Sequence, residues 1–270
     1  MDDRPIGVFD SGLGGLTTVR ELCRLLPEED IVYFGDTGRV PYGSRSRETI
    51  VKYARQDVAF LRTFDLKTIV IACGTVSTTA LDVLAAENPI PVLGVVAPAA
   101  RAAARATRSG SSGLSGTQAS IRSGAYERLI RAENPAARVL AQPCPLFVPL
   151  VENGRFRPGD VVIETVAAEY LAPLKEAGVD TLVLGCTHYP LLEKVIGAYM
   201  GPEVRLINSG AEGARAAADC LRERDALAGP GRGSCRCFVS DRQEDFSRLA
   251  STFLGWDVAQ AVEQVDISQY

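Results

Sequence analysis

Two stretches 113 residues apart repeat one pattern: Thr68-Ile-Val-Ile-Ala-Cys73-Gly-Thr75 and Thr181-Leu-Val-Leu-Gly-Cys186-Thr187. Each is a short, continuously apolar run that ends in Cys and then Thr. Such a run suits a strand covered on both faces, as in a parallel sheet flanked by helices. Further β-branched runs at Ile6 to Phe9, Ile31 to Phe34, Val92 to Val95 and Arg138 to Ala141 alternate with stretches of helical spacing. Between Ser46 and Phe64, residues Ile50, Val51, Ala54, Val58 and Leu61 form one apolar stripe, and helices are also expected over Val161 to Leu174 and after Pro190. The alternation predicts an α/β fold of two similar domains, each a mostly parallel sheet flanked by helices. Ligands of such sheets bind beyond the carboxyl ends of the strands, where both cysteines fall. Between the halves, Ser109-Gly-Ser-Ser-Gly-Leu-Ser-Gly116 reads either as a linker or as a short strand with a phosphate-like turn. The tail offers a strand at Cys237 to Ser240 and a helix around Phe246 to Leu254, and is expected to return to the first domain.

The 270 residues are 46% hydrophobic and 23% charged, which excludes disorder and a coiled coil. A net charge of −4, with no basic cluster interleaved with aromatics, argues against a nucleic-acid partner. The opening Met1-Asp2-Asp3-Arg4-Pro5 lacks the basic and apolar regions of a signal peptide, and no apolar run approaches 18 residues. A cytoplasmic protein with no membrane partner is expected, its seven cysteines free thiols. Cys235-Arg-Cys237 has one residue between its cysteines and no matching second pair, so structural zinc is not expected.

The run Gly74-Thr75-Val76-Ser77-Thr78 reads as a tight turn into a capped helix, which puts Cys73 near the positive end of a helix dipole. Pro190 suits the first turn of a helix after Cys186 and sets the second thiol similarly, a surrounding that favours thiolates. Asp10 and Ser11 follow the first strand at the same kind of strand end. The glycines from Gly12 invite a dinucleotide reading, but Thr17 stands where the fingerprint needs its last Gly; a turn bringing backbone amides to a carboxylate explains them as well. Glu152 breaks the apolar run from Phe147, and Tyr42 lies in a Pro/Gly turn. His188 is the only histidine, which excludes a multi-histidine metal site and leaves one imidazole for proton transfer. Two thiols with acids nearby suit removal of a proton from one face of a carbon and its return from the other, a racemisation or epimerisation. Pyridoxal phosphate would need a lysine at a strand end, and Lys52, Lys67, Lys175 and Lys194 all lie elsewhere.

These residues resemble the glutamate racemases of the cofactor-independent aspartate/glutamate racemase family. The likeness runs through Gly7-Val-Phe-Asp10-Ser11-Gly-Leu-Gly-Gly-Leu16, Tyr33-Phe-Gly-Asp36-Thr37, Pro41-Tyr42-Gly43, Gly116-Thr117, Ser123-Gly124-Ala-Tyr126, the segment Cys144 to Glu152, and Gly185-Cys186-Thr187-His188-Tyr189-Pro190. It implies two α/β domains facing each other across an active-site cleft, the first over 1–97 plus 208–270 and the second over 98–207. It makes Cys73 and Cys186 the catalytic bases, with Asp10 assisting Cys73, and Glu152 and His188 assisting Cys186. Asp10, Ser11, Pro41, Tyr42, Gly43, Gly74, Thr75, Thr117, Thr187 and His188 would surround the amino acid. It further implies D-glutamate for peptidoglycan, no cofactor, no metal, and a homodimer.

The family usually has Asn after its first catalytic cysteine, where this chain has Gly74. A lost amide that bonded a charged substrate group would cost about 1.5–3 kcal/mol. Gly74 therefore keeps two other readings open: racemisation of aspartate or of a broader range of amino acids, and a two-domain protein that closes on an acidic amino acid without turning it over.

Overall fold

The structure is a computed structural model that describes residues 1–256 and 262–270. The chain runs β1 (Ile6–Asp10), α1 (Leu16–Leu25), β2 (Ile31–Gly35), α2 (Arg47–Leu61), β3 (Thr68–Ile71), α3 (Gly74–Thr79), α4 (Leu81–Glu87), β4 (Val92–Gly94) and α5 (Val96–Ala106). It continues through β5 (Ser111–Gly116), α6 (Gln118–Ser123), α7 (Ala125–Glu133), β6 (Arg138–Pro143), α8 (Phe147–Glu152), α9 (Val161–Glu176), β7 (Thr181–Leu184), α10 (Glu193–Met200) and β8 (Arg205–Asn208). It ends with α11 (Ser209–Glu223), β9 (Cys235–Val239), α12 (Gln243–Leu254) and β10 (Val262–Gln264).

Among the described residues two sheets form, with strand orders β10-β9-β2-β1-β3-β4 and β6-β5-β7-β8, and every pairing is parallel. Every residue of β1, β2, β3 and β7 is buried, as expected of strands covered on both faces. The tail returns to the first sheet, where β9 pairs with β2. In each sheet the chain winds one way from one central strand and the other way from its neighbour. The switch points therefore lie between β1 and β3 in the first sheet and between β5 and β7 in the second. Such a point is where a crevice opens at the carboxyl edge of a parallel sheet. The two sheets are linked by alanine-rich helices. Ala99, Ala100 and Ala103 of α5 and Ala214, Ala217 and Ala218 of α11 are buried, and α11 packs on both α1 and α5.

The linker reading of Ser109 to Gly116 is wrong: Ser111–Gly116 is a strand near the middle of the second sheet. Its composition is poor for a strand in isolation, but its neighbours demand small residues. A Cβ on Gly113 would lie 3.1 Å from a Leu182 methyl, and Ser115, fully buried, donates its hydroxyl to the Val183 carbonyl at 3.1 Å. No helix among the described residues is long and apolar enough to cross a membrane, and all seven cysteines are free.

Candidate active site

Both switch points open onto one cavity of about 400 Å³. Ser11 enters it from the end of β1 and Cys73 from the end of β3; Thr117 enters from the end of β5 and Cys186 from the end of β7. Each cysteine lies two residues past its strand, so the sequence repeat becomes a pair of thiols on facing walls. Pro41, Tyr42, Gly43, Gly74, Thr75, Glu152, Thr187 and His188 also line the cavity.

Cys73 is the N-cap residue of α3, and its Sγ lies 3.4 Å from Ser11 Oγ. The thiolate expected there is not the resting state: burial, reinforced by the negative field of Asp10, pushes the thiol up to about 12. A helix of six residues carries too small a dipole to offset that desolvation. Asp10 does not line the cavity. It is buried behind Ser11, where Oδ2 accepts the Gly12 amide at 3.0 Å and Oδ1 accepts the Thr187 hydroxyl at 3.4 Å. Asp10 therefore reaches the wall that carries the second thiol and has no direct bond to Cys73. Burial raises its own pKa above the ordinary carboxylate value, opposed by His188 and by the backbone amides of Gly15 and Gly12.

Cys186 faces an imidazole. Its Sγ is 3.9 Å from His188 Nδ1, and His188 Nε2 is 3.0 Å from Glu152 Oε1 on the last turn of α8. Burial disfavours the imidazolium, but hydrogen bonds to Cys186 and Glu152 more than compensate and raise His188 to about 10. The chain before it is also tied across the cleft, because the Thr17 hydroxyl donates to the Thr187 carbonyl at 2.9 Å.

Two further contacts bridge the walls. The hydroxyls of Thr75 and Thr117 are 3.1 Å apart, and Thr117 caps α6 by accepting the Ser120 amide. Gly74 meets Gly185 so closely that a Cβ on it would lie 2.7 Å from the Gly185 carbonyl oxygen. Gly74 is thus more than a position lacking an amide, because in this closed cleft no side chain fits without moving the facing backbone. Tyr42 lines the cavity but commits its hydroxyl to Asp36 and Asp57.

Sequence reasoning passed over Cys144, Gln118 and Val148, all in the lining. Cys144 is a third thiol in the wall, pushed up to about 12 mainly by burial, and its carbonyl accepts the Tyr189 hydroxyl at 2.9 Å. The abrupt Cys144-Pro145 turn after β6, matching Cys186 after β7, was the available signal.

The sequence pattern of the Asp/Glu/hydantoin racemases matches residues 9–217. A glutamate racemase of Geobacter metallireducens is 49% identical over 256 residues, covering 94% of each chain. Among solved structures, a glutamate racemase isoform of Bacillus anthracis superposes with a TM-score of 0.93 at 37% identity over 98% of each chain. The Francisella tularensis glutamate racemase, solved in complex with D-glutamate, does so with a TM-score of 0.92 at 37% identity over the full length of both chains.

Proposed function

The chain belongs to the Asp/Glu/hydantoin racemase family, and from that membership we infer that it is a glutamate racemase working through two thiols. The observation that carries this reading is the placement of Cys73 and Cys186 at equivalent strand ends on opposite walls of one cavity. Inverting a carbon centre requires a base on one face and an acid on the other, and the roles exchange when the reaction runs backwards. One cysteine, as thiolate, takes the α-proton; the other, as thiol, delivers its own proton to the opposite face. Proton and charge balance at the end, and no cofactor is needed.

The facing walls suit these roles. The Ser11 hydroxyl supports Cys73, while His188, oriented by Glu152, supports Cys186. Asp10 sits behind both through Gly12 and Thr187 and holds the wall rather than the amino acid. Ser11, Thr75, Thr117 and Thr187 supply hydroxyls for the substrate's carboxylate and amino groups, with Pro41, Gly43 and Gly74 as close-fitting backbone. The same reading, supported by the family likeness, has a homodimer making D-glutamate for peptidoglycan in the cytoplasm.

Incubation with L-glutamate in deuterated water tests it. The α-proton signal is expected to disappear while D-glutamate accumulates on a chiral column. With the protein folded and both L-glutamate and L-aspartate inert, the alternative of a closing binder would take over.

A further inference from the structure

The Tyr33-Phe-Gly-Asp36-Thr37 segment contributes no group to the cavity, yet its carboxylate is fully buried within one residue shell of the cavity wall. Asp57, on α2, is buried just as completely. Both carboxyl groups converge on the Tyr42 hydroxyl, which donates to Asp36 Oδ2 and lies 3.1 Å from Asp57 Oδ2. A phenol has one proton to give, so the second contact is satisfied when Asp57 carries a proton and donates it to the phenol oxygen. Burial, with the neighbouring charge of Asp36, pushes Asp57 well above the carboxylate range in keeping with that.

Arg39 closes the cluster. Its Nε donates to Asp36 Oδ2 at 2.6 Å, Nη2 to Asp57 Oδ1 at 2.7 Å and Nη1 to Gln56 Oε1 at 2.6 Å, with the guanidinium 4.3 Å over the Tyr53 ring. The other oxygen of Asp36 accepts the Ser240 hydroxyl at 2.7 Å, and the same hydroxyl accepts the Gly38 amide at 2.9 Å. The connection between β2 and α2 is thereby pinned at Gly38, Arg39 and Tyr42, and its next residues, through Ser44, form the cavity wall.

We propose that Asp36, Arg39 and Asp57 are positioning residues that act through Tyr42 to hold the Pro41–Ser44 wall in its substrate-binding position. The proposal rests on the racemase reading for its substrate. Neither thiol bonds to any member of the cluster, so the cluster governs how well the amino acid is held, and the proton transfers themselves remain intact once it is bound.

Kinetics with L-glutamate and hydrogen exchange test this in the full chain. Asp57→Ala and Tyr42→Phe are each expected to raise KM about tenfold, the loss of roughly one charge-assisted hydrogen bond, with kcat within about threefold of the unaltered protein. Asp57→Asn retains an acceptor for Arg39 and a donor for the phenol, and is expected to restore KM to within about threefold. Tyr42→Phe combined with Asp57→Ala is expected to be no worse than the poorer single variant, because both cut one linkage. Amide exchange over residues 37–46, followed by mass spectrometry, is expected to quicken in Asp57→Ala without any substrate present. A fall in kcat with KM unmoved, additive single effects, or unchanged exchange over residues 37–46 would overturn the proposal. An unaltered protein that exchanges no amino-acid α-proton would instead retire the racemase reading, and the hydrogen-exchange result would still decide whether the cluster pins the wall.

Discussion

Cys73 and Cys186 stand at the same place in two copies of one topology, and their surroundings are opposite in sign. Around Cys73 lie a hydroxyl and, one layer back, the carboxyl of Asp10, so burial and like charge keep the thiol protonated. Around Cys186 lies an imidazole held by a carboxylate and raised to about 10. The two thiols proposed as the catalytic bases thus form an asymmetric pair. One wall keeps its proton on the sulfur of Cys73, and the other sets an imidazole of raised pKa 3.9 Å from the sulfur of Cys186.

The largest effect that would break this comparison is loss of either thiol. Cys73→Ala and Cys186→Ala are each expected to lower racemisation about 10²–10⁴-fold, measured as D-glutamate formed from L-glutamate, because neither wall can do the other's half of the reaction. Full activity in either variant would dismiss the two-base scheme.

Gly74 sharpens the comparison at the point where the walls touch. A Cβ there meets the Gly185 carbonyl, and the strain is relieved by moving one thiol wall away from the other. Gly74→Ala and Gly74→Asn are both expected to lower kcat, by about tenfold, since an ångström of misplacement can cost up to about 10²-fold. A rise in activity with Asn would restore the lost-amide explanation.

Smaller effects probe each wall alone. Replacing Asp10 with Asn removes the negative field that helps raise Cys73, so iodoacetamide labelling of Cys73 at mildly alkaline pH, read by mass spectrometry, should quicken several-fold. On the other wall, folding raises His188 from 6.5 to about 10. The stability this contributes is complete at a pH below 6.5, the unfolded value, and is lost as pH climbs through about 10. His188→Gln should therefore melt a few degrees below the unaltered protein at acid pH, and the gap should close in alkaline buffer. A gap that widens with pH would mean the imidazole is buried neutral.

Much of this was legible in the chain. The runs ending in Cys73 and Cys186 read as strands because continuous β-branched and aliphatic residues suit burial on both faces, and their carboxyl ends follow from parallel topology. The sole histidine and the acid closing the Phe147 run came to the same cavity, within a hydrogen bond of each other. Ser111–Gly116 was legible only as one of two readings, a linker or a short strand, because its small residues are chosen by Leu182 and Val183 across the sheet and not by their own propensity. Tyr42 was legible as a cavity residue, yet the direction of its hydroxyl depended on Asp36 and Asp57, 6 and 15 positions away.

The sequence by itself determined which residues could carry the chemistry and at which strand ends they would stand, since periodicity and turn residues are local properties. Only the tertiary structure decided the upward shifts of Cys73, Asp10 and His188, the side of Asp10 that faces the second wall, and the fit of Gly74 against Gly185. Those depend on desolvation and on contacts between residues up to 177 positions apart, which no local pattern encodes.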